Sequence, residues 1–399
     1  MNSLYCRTYQ LAYKTVAQFL PWRQPLLLEG ENSLKELPAL LHRQSIHPVL
    51  IVTDSGISKL GLLDGLLEDL NKSGIPYSIY DKTVPNPTID NIEEALILYH
   101  DSGCKGIIAF GGGSPMDCAK GVAARVARPD RTLHQLKGQL KVRKATPPLI
   151  AIPTTAGTGS EATIVSVVSN SETHEKYAIN DPVLTPQFAV MDPLLTVNLP
   201  SHITSTTGMD ALTHAVEAYI GRSNTIQTKQ WSREATILIF ANLYEAYENG
   251  TNIEARKNMQ RASFLAGRAF TRAYVGYIHA IAHTLGGFYN VPHGFANAVI
   301  MPHVLEYYGV AVHKPLAELA DLAGITDRSD TDEVKCKKFI DAIKQMNEKM
   351  GIPTTISGIN TKDIPLMVER AYNEANPLYP VPRILDRKDL ETLYVLIKE

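Results

Sequence analysis

Apolar and polar positions fall into two textures along this chain. From residue 26 to about residue 199, short apolar runs alternate with stretches whose apolar residues return every three or four positions. The runs at 26–28, 49–53, 77–80, 107–110, 149–152 and 189–191 predict strands, and the stretches 58–72, 88–100 and 115–127 predict helices between them. Such alternation implies a mostly parallel sheet covered by helices. Beyond Pro200 the strand pattern nearly vanishes, and long amphipathic patterns such as 232–248 and 253–270 predict helices only. The expected fold is therefore an α/β N-terminal domain with a mostly parallel sheet, followed by an all-α C-terminal domain. A boundary in the proline-flanked segment 193–200 divides the chain into 1–199 and 200–399.

Composition narrows the partners. A chain of 399 residues with 44% hydrophobic and 20% charged content can bury the cores of two domains. Its net charge of -2 gives no electrostatic reason to expect nucleic acid or an anionic membrane surface. No run approaches the roughly 20 apolar residues that a membrane span needs. Small molecules remain as the expected partners. Cys6, Cys104, Cys118 and Cys336 have no CxxC spacing, and Arg7 and Lys14 interrupt the apolar residues Leu4, Leu11, Val16 and Phe19 before a signal-peptide core develops. A reducing, cytoplasmic setting is expected.

The densest chemistry lies at 276–294, which holds His279, His283 and His293, three of the chain's twelve histidines. A neutral imidazole can ligate a transition metal or carry a proton near neutral pH. His279 and His283 are four residues apart, so a helix over 277–285 puts them on one face. Gly286, Gly287 and Pro292 are expected to break that helix and let His293 return toward His279. Asp210 and His214 repeat the spacing on a helix expected to follow Gly208. A carboxylate and imidazoles from these segments form a nitrogen and oxygen set suited to a divalent first-row ion. Packed or capping histidines are the simpler alternative for either pair alone.

A second candidate site is the turn Gly111-Gly112-Gly113-Ser114-Pro115, which follows the strand run 107–110. Its glycines would admit a phosphate to the backbone, with Ser114 as N-cap, Pro115 at the first helical position and Asp117 completing a capping box. The free N–H groups and positive dipole end of the helix would then face a pyrophosphate. An ordinary strand-to-helix turn is the competing reading. Asp54, at the end of the strand run 49–53, can accept hydrogen bonds from ribose hydroxyls and repel a 2′-phosphate, or it can cap the following turn. The loop 153–161, rich in threonine and glycine, can approach a cofactor closely. Phe270 and Val275 suit either an apolar substrate pocket or the core. His303 is expected to pack or bond at the surface, and the charged run 327–338 reads as a solvated helix start.

The phrases GMDALTHAVEAY, HAIAHTLGGFYNVPHG, GGGSPMDCAK and PTTAGTGSE resemble, in order and spacing along nearly the whole chain, those of the iron-containing (group III) alcohol dehydrogenases. The resemblance maps that family's metal ligands onto Asp210, His214, His279 and His293, and its non-ligand active-site histidine onto His283. It places the dinucleotide phosphates at Gly112, Gly113 and Ser114. Thr154, Thr155, Thr158 and Thr163 would line the cofactor cleft, Asn86 would approach the adenosine, and Lys176 the nicotinamide ribose. An acidic residue at Asp54 goes in related dehydrogenases with NAD, whereas glycine goes with NADP. The implied activity is reversible hydride transfer between a primary alcohol or aldehyde and NAD(H). The implied ion is Fe2+, with Zn2+, nickel or cobalt compatible with the same ligands. A homodimer or higher homo-oligomer is also implied. The rivals are a polyol or glycerol dehydrogenase, a dehydroquinate-synthase-like enzyme of the same superfold, and, more remotely, a sensor that binds NAD and metal without turnover.

Overall fold

A computed structural model describes residues 2–171 and 175–399 of the chain. They form two compact units: Pro21–Asn198, and Leu199–Glu399 together with the N-terminal segment through Leu20.

The first unit carries strands β1 (Leu26–Glu29), β2 (Val49–Val52), β3 (Tyr77–Tyr80), β4 (Gly106–Gly111), β5 (Gly138–Gln139), β6 (Leu149–Pro153), β7 (Val165–Ser169), β8 (Lys176–Asn180) and β9 (Phe188–Met191). Six of them make one sheet in the order β1-β9-β6-β4-β2-β3, and every pairing in it is parallel. Side chains of a strand alternate between faces, and here both faces are covered. Leu50, Val52, Ile107, Ala109, Leu149 and Ala151 enter one apolar cluster. Their neighbours Val49, Ile51, Ile108, Phe110, Ile150 and Ile152 enter the other. Continuous apolar runs follow from this two-sided burial in the central strands β2, β4 and β6, whereas the edge strands β1 and β3 are less buried and show shorter or interrupted apolar runs.

A second sheet, β5-β8-β7, departs from the expected single sheet. Strand β7 runs antiparallel to β8, and β5 is two residues long. Its strands intersperse Ser166, Ser169, Lys176 and Asn180 with apolar residues, so no sustained apolar run marks them. The stretch expected as one helix at 58–72 is two, Ser55–Lys59 and Asp64–Lys72, interrupted near Gly61 at φ 69°. The other expected helices of this unit are Ile89–Asp101 and Gly113–Ala127.

The second unit contains the helices Ser201–Ile220, Ile226–Glu248, Ile253–Ala273, Tyr277–Tyr289 and His293–Tyr308. We refer to the first, fourth and fifth as the Asp210, His279 and His293 helices. Two expected glycine breaks are corrected. Gly208 lies inside the Asp210 helix, where a Cβ would stand 2.2 Å from Leu243 Cδ1, so the glycine serves close helix packing. The His279 helix continues through Gly286 and Gly287 and ends at the left-handed cap Asn290, φ 53°. Intrahelical bonding carries those glycines past the point where their propensity suggested a stop.

The N-terminal segment, expected within the first domain, also needs correction. Its helix, Ser3–Ala17, belongs to the helical unit, because Arg7 and Gln10 hydrogen-bond carbonyls of residues 377–382. Among the described residues no helix is long and apolar enough to cross a membrane.

Candidate functional site

The Gly-rich turn stands at the carboxyl end of β4, beside the carboxyl ends of β2 and β6, the edge at which parallel α/β sheets bind ligands. Sterics explain its composition. A Cβ on Gly111, whose φ is 147°, would lie 2.7 Å from Pro115 Cγ and 2.8 Å from Ile57 Cδ1. One on Gly113 would come within 2.9 Å of Thr158 Cγ2, and one on Gly112 within 3.4 Å of Thr155. The glycines therefore let the threonine loop seat directly against the turn. Thr154 joins the two by donating its N–H to the Gly111 carbonyl at 3.0 Å.

Capping differs from expectation. The helix begins at Gly113 with Gly112 as N-cap and no side-chain cap, so its first N–H groups have no capping side chain. Ser114, expected as the cap, accepts a bond from the Asn86 N–H at 3.2 Å instead. Asp117 makes no capping box. It is half-buried beside the buried Lys120, and desolvation pushes its carboxyl above the ordinary range while pushing the Lys120 ammonium down.

Lys120 closes the phrase GGGSPMDCAK without being assigned a role there, yet it fastens this region. Its ammonium, fully buried, donates to Ser160 O at 2.7 Å, Thr163 Oγ1 at 2.8 Å, and Ser160 Oγ, Thr163 O and Val165 O at 3.0 Å each. Thr163 is thus buried and engaged by Lys120, unlike Thr155 and Thr158 at the turn. Asp54 realises its capping reading: Oδ1 accepts from Gly56 N at 2.8 Å and Ile57 N at 3.0 Å. Lys176 Nζ bonds Asn86 Oδ1 at 2.7 Å, so these two distant candidates hold each other. His174, which precedes Lys176, lies outside the described residues.

In the helical unit three of the expected ligands converge. One ligand atom each of Asp210, His279 and His293 lies within 4.8 Å of the others. His279 Nε2 is 3.8 Å and His293 Nε2 is 3.5 Å from Asp210 Oδ1. His214 is outside that trio but adjacent, its ring stacked on His279 at 4.5 Å and on Phe270 at 4.1 Å. The close approach of the helices has a local cause: a Cβ on Gly294 would stand 2.3 Å from Thr206 O, so only glycine lets His293 reach the Asp210 helix.

A buried carboxylate orients the central imidazole. Glu217 accepts from Gly276 N at 2.8 Å, Ile278 N at 2.9 Å and His279 Nδ1 at 2.6 Å. Hydrogen bonding at Nδ1 sets the tautomer whose Nε2 lone pair faces Asp210. Burial pushes the His279 pKa down to about 3, which keeps the ring neutral, as a ligand must be. Burial likewise pushes Glu217 up to about 7, opposed by the Gly276 and Ile278 amides. Gly276 is required here, since its Cβ would be 2.7 Å from Glu217 Oε1.

Asn297 Nδ2 donates to Asp210 Oδ1 at 2.7 Å and lies 3.3 Å from His279 Nε2 and 3.2 Å from His293 Nε2. Three acceptor atoms aimed at one donor are the arrangement that a cation needs. Two imidazoles and a carboxylate with this aim fit a divalent first-row ion.

His283 is held differently. Its Nδ1 meets Glu374 Oε1 at 2.6 Å, and Tyr379 donates to the same oxygen at 2.8 Å. Its ring stacks on His293 at 5.2 Å. Just ahead of the His279 helix, Tyr274 adopts φ 65°, ψ 174°, a conformation largely confined to glycine that costs on the order of 1–3 kcal/mol. His303 bonds Thr354 O at 3.0 Å, as a surface histidine.

The same spacing logic that marks Asp210 and His214 reaches two of the unpredicted residues. Glu217 is three residues beyond His214, and Asn297 four beyond His293. No pattern points to Glu374 or Tyr379.

The family model for iron-containing alcohol dehydrogenase matches residues 25–193, and that for the C-terminal region of the Fe-containing alcohol dehydrogenase family matches residues 204–397. The chain is 39% identical to 1,3-propanediol dehydrogenase of Klebsiella pneumoniae over 86% of its own length and 90% of the relative's. It is 33% identical to NAD-dependent methanol dehydrogenase of Bacillus methanolicus, covering 89% of this chain and 93% of that one. Alcohol dehydrogenase from Oenococcus oeni, a solved structure, superposes with a TM-score of 0.91 at 35% identity, over 95% of this chain and 100% of that one. With both halves matched and the ligand-bearing helices in place, this chain belongs to the iron-containing alcohol dehydrogenase family.

Proposed function

We infer that the protein is a metal-dependent alcohol dehydrogenase that moves hydride reversibly between a small primary alcohol or aldehyde and NAD(H). The observation that carries this reading is the convergence of Asp210, His279 and His293, with Glu217 fixing the central imidazole. Membership of the family, with relatives acting on propanediol and on methanol, supports the substrate class.

Asp210, His279 and His293, with His214 completing the set, would hold the ion. When bound, the ion supplies Lewis acidity that favours the alkoxide over the alcohol and polarises the aldehyde in the reverse direction. Iron is proposed from the family's character, and zinc, nickel or cobalt would suit the same donors.

The chain's own groups do the rest. With its Nδ1 hydrogen on Glu374, His283 presents a free Nε2 that would accept the alcohol proton, and Glu374 would stabilise the resulting imidazolium. Phe270, stacked on His214, would exclude water from one side of the substrate.

The dinucleotide is assigned to the Gly112, Gly113 and Ser114 turn, where the first helical N–H groups would bind pyrophosphate. Thr154, Thr155 and Thr158 would bond phosphate and ribose. Lys176 and Asn86 would present their linked side chains to the cofactor, and Thr163 would act through Lys120. Asp54 would favour NAD by repelling a 2′-phosphate with the carboxylate that caps the helix after β2. All four cysteines are free and buried, which fits a reducing compartment such as the cytoplasm. A homodimer or higher homo-oligomer is proposed on the family resemblance.

The test is a panel of alcohols and aldehydes assayed with NAD(H) and NADP(H) after reconstitution with iron, zinc, nickel or cobalt. Turnover of small primary alcohols with NAD in at least one metal form is expected. Intact metal and NAD binding without hydride transfer across the panel would replace this reading with a sensor.

A further inference from the structure

The helix Ser3–Ala17 lies ahead of the region that the family model matches, which begins at residue 25. Its burial departs from that of an ordinary packed helix. Leu4, Leu11 and Val16 are 72%, 66% and 55% exposed, whereas Gln10 is 5% exposed. Cys6, Gln10, Tyr13 and Ala17 recur at helical spacing on the inward side, and Arg7 flanks them.

What this face meets is main chain. Gln10 Nε2 donates to Tyr379 O at 2.7 Å and to Pro377 O at 3.1 Å. Arg7 Nη1 donates to Val381 O at 2.7 Å and to Gln10 Oε1 at 2.9 Å, and its Nη2 donates to Pro382 O at 3.0 Å. Four carbonyls of one short segment are thus held by two side chains of the N-terminal helix. Cys6 Sγ, 3.9 Å from Asn376 Oδ1, and the Tyr13 ring, edge-on to Tyr274 at 5.5 Å, continue the contact on either side.

The captured segment carries Tyr379, and Tyr379 bonds the Glu374 oxygen that also holds His283. The hydrogen-bonded path therefore runs from the N-terminal helix to an active-site imidazole. Beyond the helix the segment's backbone is tied by Tyr379 N to Ala375 O at 2.7 Å, Val381 N to Tyr379 O at 2.9 Å and Arg222 N to Pro380 O at 2.6 Å, which leaves the carbonyls of Pro377, Val381 and Pro382 to Gln10 and Arg7. A shift of about 1 Å at a reacting group can cost about 10²-fold in rate.

We propose that the N-terminal helix is a positioning element for His283: Gln10 and Arg7 hold segment 377–382 so that Tyr379 and Glu374 keep the imidazole aimed. The role of His283 rests on the function proposed above, whereas the grip on the segment does not.

The test uses the full-length, metal-loaded protein and the variants Gln10→Ala, Arg7→Ala and Arg7→Lys. Thr8→Ala serves as control, since its exposed hydroxyl bonds Leu4 O within the helix. Amide hydrogen exchange across 376–382 is read beside kcat, the KM for NAD and metal content. Gln10→Ala and Arg7→Ala should speed exchange in the segment by about tenfold or more and lower kcat by roughly 10- to 100-fold. Metal content and the KM for NAD should stay within about twofold of the parent, a split that general loosening would not give. Arg7→Lys, which keeps a donor, should recover part of the loss, and Thr8→Ala should match the parent.

Unchanged exchange at 376–382 in both alanine variants overturns the grip. Faster exchange with parental kcat overturns the positioning of His283, as does loss of metal and NAD binding in step with kcat. A parent without any turnover defeats the functional reading instead, and the exchange result still decides whether the helix holds the segment.

Discussion

The glycine turn and the histidine cluster are built on opposite principles. At the turn, side chains are withheld: Gly112 and Gly113 leave room for the threonine loop, Gly111 for Pro115 and Ile57, and the helix start has no side-chain cap. At the cluster, polar side chains from separate helices are driven together in a buried setting and held by a second layer, Glu217 and Asn297 on the ligands and Glu374 on His283. The turn is vulnerable to added atoms. The cluster is vulnerable to lost charge and lost hydrogen bonds.

The largest effect that this contrast predicts separates two histidines of one helix. His279→Ala removes a ligand together with the partner of Glu217, so metal content and turnover should both collapse while NAD affinity stays near the parent's. His283→Ala should retain its metal and lose roughly 10²–10⁴-fold in kcat, the range of a general acid–base group. Elemental analysis beside turnover on both variants decides it. If His283→Ala is the metal-depleted protein, the two roles are reversed.

A smaller loss is expected from Glu217→Gln, which keeps the shape but removes the charge that orients His279. Metal affinity should fall about 10- to 100-fold, as second-layer changes typically cause, with NAD binding unaffected. Calorimetric titration with the metal measures this, and parental affinity would mean that the backbone alone fixes the imidazole.

Gly113→Ala tests the other side of the contrast. The new methyl meets Thr158 Cγ2 at 2.9 Å and must displace the threonine loop. Overpacking of about 1–3 kcal/mol, if it falls wholly on the bound state, translates into roughly a 5- to 150-fold weaker NAD affinity. Metal content should not change. A variant that binds NAD as the parent does would show that the loop gives way freely.

Asp54→Asn should have the smallest effect. Asparagine keeps the N-cap on Gly56 and Ile57, so melting temperature should hold, whereas loss of the like charge should raise NADP use. One charge contact at about 4 Å in water amounts to about 1 kcal/mol, or roughly fivefold in the NADP-to-NAD ratio. An unchanged ratio would leave Asp54 with capping alone.

The sequence by itself determined the six parallel strands, most plainly the central ones, where burial on both faces makes a continuous apolar run such as Ile107 to Phe110. It likewise disclosed Asp210, His214, His279 and His283, since helical spacing fixes which residues share a face before any packing is known. Tertiary structure alone decided the rest. The sheet β5-β8-β7 is short and mixed in polarity, so only its pairings reveal it. Gly208 and Gly286 look like helix breaks until the helices that pack and cap there are seen. Lys120 reads as an ordinary helix lysine, although five acceptors from residues 160–165 hold it buried. Glu374 is 91 residues from His283 in sequence, and Gln10 is 369 from Tyr379. Periodicity reports the geometry of one element at a time. Contacts between elements so far apart along the chain leave no local trace, because they depend on where the folded backbone brings each carbonyl and carboxylate.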